Sequence, residues 1–431
     1  MNGTRVHLQT LGCRLNEAEL ETWSRDFRAQ GWELVAAPEQ ADLVVVNTCA
    51  VTAEAARKSR QLLRRSQRAN PAAKLVVSGC YATLDAERAA AELGVDLLVP
   101  NTDKGRLVEI ALAELALPTQ PLEATEPDAQ PLLARGRQRA FIKVQDGCRY
   151  RCSYCIVTLA RGAETSRPIA EVVAEIRALH ASGIQEVVLT GVHLGGYGAD
   201  QGTHLGELLD AVLAETRVPR LRLGSLEPWD LPADLWARFA EPRLLPHLHL
   251  PMQSGSDSVL RRMARRCRRA EFLELAAAGR AAVPDLNLTT DIIVGFPGES
   301  AAEWHETLDF VEQVGFGQVH IFAYSPRAGT KAAALPGQVD RALKRARSAQ
   351  LHAIAARHRQ AFLGRHVGPE YEVLIEERSG SGDDAHWSGY TPNYLRVELP
   401  AAPGQDLANR IVRVRTEGVA ADGGSLRGRL C

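Results

Sequence analysis

Short runs of β-branched and other apolar residues recur between helical patterns along most of this 431-residue chain, and that alternation narrows the folds open to it. Val6 to Leu11, Leu43 to Val46, Lys74 to Val77 and Asp96 to Val99 read as strands. Asn16 opens a helical pattern that runs through Gln30, with Gly31 past its end. A second helix runs from about Ala53 to Ala69, where Asn70-Pro71 stops it. Continuous apolar strands separated by helices predict a buried parallel sheet. Residues 1–117 are therefore expected to form a Rossmann-like α/β domain.

Residues 118–138 carry Pro118, Pro121, Pro127 and Pro131 among acidic residues and read as an extended linker. A second α/β series fills residues 139–365. It starts at Ala140 to Val144, and further strands are predicted at Glu186 to Thr190, Arg220 to Gly224, His247 to Leu250, Leu288 to Val294 and Gln318 to Tyr324. Six strands with crossover helices predict a partial (β/α)6 barrel. A basic, Ala-rich helix ends near Gly364. Beyond it, Tyr371 to Ile375, Leu395 to Leu399 and Ile411 to Arg415 alternate like exposed strands, so residues 366–431 predict a small OB-like β-barrel.

Composition excludes more than it selects. Hydrophobic residues at 45% and charged residues at 24% describe an ordinary globular protein. Lys+Arg 51 against Asp+Glu 52 leaves a net charge of -1, which neither demands nor excludes a nucleic-acid partner. No run of about 18 apolar residues is present, so no membrane-spanning helix is expected. Eight Cys are too sparse for a secreted disulfide scaffold, and a reducing cytoplasm is the expected compartment. Spaced cysteines in that compartment bind metal or do chemistry more often than they pair.

Three of them form C-x3-C-x2-C at Cys148, Cys152 and Cys155, in a loop just after the first strand of the barrel-like series. A tight loop can turn three thiolates onto one face of a cluster. Three ligands cannot close a [4Fe–4S] cube, so one iron stays open to a small molecule. A structural zinc site is the plain alternative, but zinc normally takes four ligands. Cys13, Cys49 and Cys80 each follow a predicted parallel strand, the end where open α/β sheets place ligands. Three unrelated buried thiols would be the bland reading. A second three-cysteine cluster is the sharper one. Cys267 and Cys431 belong to neither set.

The C-x3-C-x2-C loop after a barrel strand resembles the radical S-adenosylmethionine (SAM) superfamily. With the second triad ahead of it, the chain resembles the radical SAM methylthiotransferases, with a C-terminal module of the TRAM type. The segments Thr10-Leu11-Gly12-Cys13-Arg14-Leu15-Asn16-Glu17-Ala18-Glu19, Asn47-Thr48-Cys49-Ala50-Val51-Thr52 and Leu189-Thr190-Gly191-Val192-His193-Leu194 look like the branch acting on N6-threonylcarbamoyladenosine in tRNA. Where the family commonly has a Pro and an aromatic before Ala160-Arg161-Gly162, this chain has Ile156-Val157-Thr158-Leu159.

The resemblance implies two [4Fe–4S] clusters, one on Cys13, Cys49 and Cys80 and one on Cys148, Cys152 and Cys155, with SAM as cofactor. Reductive cleavage of SAM at the second would yield a 5′-deoxyadenosyl radical, and a methylthio group would transfer from the first to C2 of the adenine next to the anticodon. No catalytic side chain beyond the cluster ligands is implied. Tyr154, Thr190, Gly191, Val192, Glu227, Gln253, Arg265 and Gly295 match segments that handle SAM in the family. Implied partners are the tRNA anticodon stem-loop and an electron donor such as a flavodoxin or ferredoxin, with no membrane.

Two Arg-rich clusters give the neutral chain candidate phosphate contacts. Six of twelve residues from Arg57 to Arg68 are basic, including Lys58, Arg60 and Arg64, and six of nine from Arg261 to Arg269 are Arg, including Arg262 and Arg266. Solvated helix faces explain such runs equally well. Tyr394, in the C-terminal module, suits base stacking or barrel core. Methylthiolation of isopentenyladenosine, methylthiolation of a ribosomal-protein aspartate, and a non-catalytic zinc-stapled RNA-binding protein remain open alternatives.

Overall fold

The computed structural model describes residues 4–92, 94–117, 138–382, 385–402 and 404–431, so the expected linker lies, but for Gln138, outside the described residues. The chain divides into two compact units. One comprises Met1–Pro131, Asp146–Thr165 and Ser325–Ala333; the other comprises Leu132–Gln145, Ser166–Tyr324 and Ala334–Cys431.

In the first unit, strands β1 (Arg5–Thr10), β2 (Glu33–Leu34), β3 (Leu43–Thr48), β4 (Lys74–Gly79) and β5 (Leu97–Val99) form one sheet in the order β2-β1-β3-β4-β5. Every pairing is parallel. Helices α1 (Arg14–Ala29), α2 (Ala53–Ala69), α3 (Cys80–Leu84), α4 (Ala86–Glu92) and α5 (Leu107–Glu114) connect the strands. Side chains alternate across a strand, and here both faces are covered. Val6, Leu8, Val45 and Val76 pack with Trp23 and Phe27 of α1 and Leu107 and Ala111 of α5. Val44, Val46, Leu75 and Val77 pack with Leu63 of α2 and Tyr81 of α3. The buried stripe of α2 is narrow, Ala56, Ser59, Leu63 and Ser66. Leu63 therefore supplies most of its hydrophobic anchoring, about 1.5–3 kcal/mol for a fully buried Leu. A short α6 (Val157–Arg161) belongs to the same unit.

The second unit begins with β6 (Arg139–Lys143), and two-residue strands β7 (Gln145–Asp146) and β8 (Thr165–Ser166) follow along the chain. Then come β9 (Glu186–Thr190), β10 (Arg220–Leu223), β11 (His247–His249), β12 (Asn287–Val294) and β13 (Gln318–Ala323). Two parallel three-stranded sheets, β10-β9-β6 and β11-β12-β13, are joined by the single bridges Leu221↔Leu244 and Ser225↔His249. Helices α7 (Ile169–Ala181), α8 (Leu205–Glu215), α9 (Leu235–Arg238), α10 (Asp257–Arg262), α11 (Arg269–Ala282), α12 (Ala301–Val314) and α13 (Arg341–Arg365) pack against them around one core. This is the six-stranded partial barrel expected from the sequence.

Strands β14 (Glu370–Ser379), β15 (His386–Tyr390), β16 (Arg396–Pro400), β17 (Ile411–Val419) and β18 (Leu426–Leu430) close a small barrel in the order β14-β15-β16-β18-β17. The sequence signalled three of the five. In β18 only Leu426 and Leu430 carry the apolar pattern, with outward Arg427 and Arg429 between them. Gly428 replaces an inward side chain because a Cβ there would lie 2.6 Å from Val414.

Buried charge clasps the small barrel to the strand starts of β9 and β10. Glu186, fully buried, accepts from Arg220 Nε at 2.8 Å and Arg222 Nε at 2.9 Å. Arg220 Nη2 donates to the carbonyls of Tyr390 and Thr391 at 3.1 Å, and Arg222 Nη1 to that of Pro392 at 3.1 Å. Burial opposes the charge of Glu186, yet Arg222 and Arg220 outweigh it and hold the carboxyl well below its usual range. Breaking one partner of such a set leaves uncompensated buried charge, costing about 3–5 kcal/mol. Glu186→Gln should lower unfolding stability by that amount in urea titrations, whereas a loss under about 1 kcal/mol would contradict the clasp.

Candidate functional site

The carboxyl ends of β1, β3 and β4 lie level in the first unit, because Thr10 pairs with Asn47 and Thr48 with Gly79. Cys13, Cys49 and Cys80 leave from that edge. Cys13 is exposed at the N-terminus of α1, Cys49 is buried just past β3, and Cys80 opens α3. The crowding there is severe enough to require glycine. Gly79 has φ +102°, and a Cβ on it would fall 2.2 Å from the Thr48 carbonyl oxygen. Ser59 Oγ fixes the Cys49 backbone, accepting from its N–H at 3.0 Å and donating to its carbonyl at 2.8 Å. Burial raises the pKa of the Cys49 thiol, and the charges of Cys80 and Cys13 raise it further. The three thiols thus share one electrostatic environment, and all are free of disulfides.

The second triad, Cys148, Cys152 and Cys155, lies in the same unit, in the loop that leads into α6. Burial first, then Cys155 and Cys152, push the Cys148 thiol up to about 12. Cys148 N–H donates to Gly162 O at 3.2 Å and Cys155 N–H to Cys152 O at 3.0 Å. Gly147 sits at φ +73°, with Ala163 O only 1.8 Å from where a Cβ would be. The departure at Ile156-Val157-Thr158-Leu159 begins α6. Ile156 is buried, Leu159 is 58% exposed, and Thr158 Oγ1 holds Tyr150 O at 2.9 Å.

Both triads fit iron–sulfur ligation on the chemistry of their donors: three cysteine thiols each, one set at neighbouring strand ends and one in a single loop, with burial raising the pKa of Cys49 and Cys148 so that a metal would displace a proton there.

Residues just past the second triad contact groups beside the first, all within this unit. Arg161, its side chain 2% exposed, donates from Nη1 to Glu19 Oε1 at 3.1 Å and Asp146 Oδ1 at 3.0 Å, and from Nη2 to Asn16 Oδ1 at 2.9 Å. Asn16 Nδ2 donates to Leu11 O at 2.8 Å and Thr48 O at 3.2 Å. The other oxygen of Glu19 takes Lys104 Nζ at 2.5 Å and Asn47 Nδ2 at 3.0 Å. Asn101 Nδ2 donates to Ala160 O at 2.7 Å and stands 3.8 Å from Cys80 Sγ. Burial draws the Lys104 ammonium down, while Glu19 and Asp146 keep Arg161 charged against its own burial.

In the second unit, Thr190, Gly191 and Val192 lie at the end of β9, and a Cβ on Gly191 would meet Gln145 Oε1 at 2.9 Å. Gln145 Oε1 accepts the N–H of His193, whose Nε2 lies 2.7 Å from Asp230. Buried Arg265 pairs with Glu227 at 2.6 Å and lies 4.3 Å from the Trp229 ring. Gln253 takes a left-handed φ of 79° while bridging β12 through Asp291 O and Ile293 N at 2.9 Å each. Gly295, φ +74°, sits at the end of β12 against Lys344. His249 Nε2 lies 3.2 Å from Asp291 on the neighbouring strand. The half-buried Tyr154 stays in the cysteine loop of the first unit.

The basic residues divide by what holds them. Arg57 and Lys58 are exposed and reach Glu54 at 3.7 and 3.1 Å; Arg60 lies 5.8 Å from the Tyr81 ring; Arg64 lines an open depression with Gln61, Arg65 and Arg68. Arg261 and Arg266 are exposed, but Arg262 is bound to Glu303 at 2.8 Å. Tyr394, φ 65°, stacks on Tyr390 at 4.8 Å and lies 4.5 Å from Arg222. Its ring is packed into the clasp. Sequence reasoning missed the buried Arg161–Glu19–Lys104 group. Its signal was present, because Asn16, Glu19, Asn47 and Arg161 all lie in the quoted motifs.

Residues 5–100 match the model of the uncharacterized protein family UPF0004, and residues 142–311 match the radical SAM superfamily. The fold of the radical SAM methyltransferase TsrM of Kitasatospora setae resembles this one, with a TM-score of 0.56 at 16% identity over 77% of each chain. Among curated relatives, the threonylcarbamoyladenosine tRNA methylthiotransferase of Chlamydia pneumoniae is 36% identical over 96% of both chains. The tRNA-2-methylthio-N(6)-dimethylallyladenosine synthase of Akkermansia muciniphila is 35% identical over 96% of both. The fold and the matched central domain are those of the radical SAM superfamily. At this identity and coverage, the chain belongs to the radical SAM methylthiotransferase family, whose cofactors are two [4Fe–4S] clusters and SAM. No helix of the described residues is long and apolar enough to cross a membrane.

Gly147→Ala should lower thermal stability, since a Cβ cannot share space with Ala163 O; an unchanged Tm would refute the close approach. Glu303 gives a pH test. Hydrogen bonding from Arg262 holds its carboxyl down at about 2, below the ordinary 4.5. A depressed folded pKa contributes stability above pH 4.5 that is lost as pH falls toward 2. Glu303→Gln should therefore lower the urea midpoint at pH 7, and its deficit against wild type should shrink steadily below pH 4.5.

Proposed function

We propose that this chain methylthiolates C2 of N6-threonylcarbamoyladenosine at position 37 of tRNA, 3′ of the anticodon. The observation that carries the reading is the match, over 96% of both chains, to the Chlamydia pneumoniae enzyme named for that nucleoside, joined to two cysteine triads in one unit. A Bacillus subtilis relative named for the same nucleoside is 33% identical over 95% of this chain. Cys13, Cys49 and Cys80 hold the auxiliary cluster, and Cys148, Cys152 and Cys155 the cluster that binds SAM. When bound, these cofactors supply electron transfer, radical generation and the methylthio group.

The protein's own part is to bind, orient and shield. Main-chain carbonyls at Thr190, Gly191 and Val192 would take the SAM amino group, and Tyr154 is a further SAM-contact residue. Glu227, Gln253 and Arg265 handle ribose and carboxylate, and Gly295 lets the backbone approach the adenine. Arg57, Lys58, Arg64, Arg261 and Arg266, all exposed, and the half-buried Arg60 contact anticodon stem-loop phosphates, with Arg262 and Tyr394 as further RNA contacts. The target base leaves its stack to reach the site. A cytoplasmic flavodoxin or ferredoxin delivers electrons. The domain reading is an auxiliary-cluster domain over 1–117, a linker over 118–138, a radical SAM domain over 139–365 and an RNA-binding module over 366–431.

The Akkermansia relative supports isopentenyladenosine as a second substrate reading. Nucleoside mass spectrometry of tRNA from a deletion strain distinguishes the two. Loss of 2-methylthio-threonylcarbamoyladenosine, restored by the gene, is expected; loss of the methylthiolated isopentenyl nucleoside instead would overturn the substrate assignment. Anaerobically reconstituted protein should hold about eight iron atoms, and Cys→Ala replacement of either triad should remove about half.

A further inference from the structure

Arg161 follows Cys155 by six residues, and its guanidinium bonds both to Asp146, two residues before Cys148, and to Asn16 and Glu19 of α1 at the first unit's sheet edge. Through Asn16 it is linked to the carbonyls of Leu11 and Thr48, which precede Cys13 and Cys49. The preceding residue, Ala160, is held by Asn101, whose amide also faces Cys80. One dipeptide past the second triad therefore connects to the surroundings of all three cysteines of the first. The charge of Arg161 is felt at Cys49, and Cys80 and Cys13 in turn favour the charged form of Arg161.

A guanidinium is costly to bury and remains charged when buried. Apolar residues could fill this volume with equal stability. The neighbouring Lys104 is paired with Glu19, and burial lowers its pKa; a guanidinium does not give up its proton, so Arg161 is the fixed positive charge of the group. A fixed cation beside an iron–sulfur cluster stabilises its more negative, reduced form, and cluster potential follows local charge and hydrogen bonding.

We propose that Arg161 is a positioning residue that locks the radical SAM cysteine loop onto the auxiliary-cluster edge and raises the reduction potential of the auxiliary cluster. The inference rests on the assignment of that cluster to Cys13, Cys49 and Cys80. Glu19 and Asp146 hold the guanidinium in place, and Asn16 carries its position to the cysteine backbones.

The test is an anaerobic redox titration followed by electron paramagnetic resonance, on full-length reconstituted protein. Each cluster is read alone in a background with the other triad replaced by Ala. Arg161→Gln should retain the auxiliary cluster's iron and sulfide but shift its midpoint to more negative values, while the radical SAM cluster's midpoint stays put. Arg161→Lys, which keeps the charge but cannot span Glu19, Asp146 and Asn16, should shift it less. Glu19→Gln, which removes an anion from the same group, should shift it the opposite way. An unmoved auxiliary midpoint in both Arg161→Gln and Glu19→Gln, or an equal shift in both clusters, overturns the inference and leaves the cluster assignment standing. Wild-type protein that lacks an iron–sulfur cluster on the first triad overturns the assignment itself, and the inference with it.

Discussion

A parallel sheet sends the carboxyl ends of all its strands to one edge, and much of this protein follows from that geometric constraint. In the first unit, β1, β3 and β4 end in register, so three thiols separated by 36 and 31 positions in sequence leave from one level. No local motif could bring them together. A one-residue slip of any strand would exchange the side chains fitted to the two packed faces of the sheet, so the hydrophobic packing that fixes the register also fixes the cysteines. The same rule brings Thr190, Gln253 and Gly295 to the strand ends of the second unit.

Much of this was legible in the chain. Buried parallel strands write themselves as continuous Val and Leu runs, and β3 is buried at all six positions. The C-x3-C-x2-C spacing is local and needs no fold to be recognised. What stayed hidden has two physical causes. Strand β18 faces solvent on one side of a small barrel, β15 buries the polar Ser388, and both use Gly where backbones crowd, so their apolar signal is thin. The buried ions are hidden for another reason. Arg161 and Glu19 lie 142 residues apart, and an Arg that will be desolvated looks in sequence like any surface Arg.

Arginine is used in this chain in two ways that composition cannot separate. Arg57 and Arg261 stand in solvent, where a charge interacts weakly and is screened by salt. Arg161, Arg220, Arg222 and Arg265 are nearly enclosed, each bound to a carboxylate. The planar fork of a guanidinium can satisfy several acceptors at once in a way an ammonium cannot. The 45 Arg against 6 Lys therefore include a structural share. The near-neutral total conceals this division between inward and outward cations.

The clasp at Glu186 has a consequence for ancestry. Small C-terminal barrels are often pictured as cassettes passed between chains. This one is docked through Arg220 and Arg222, which lie in β10 of the larger fold, and through Arg139 of β6, which bonds Tyr394 and Glu376. A transplanted barrel would arrive without its three cations, and a host that lost it would strand them around one carboxylate. Substitutions in either part are therefore constrained by the other.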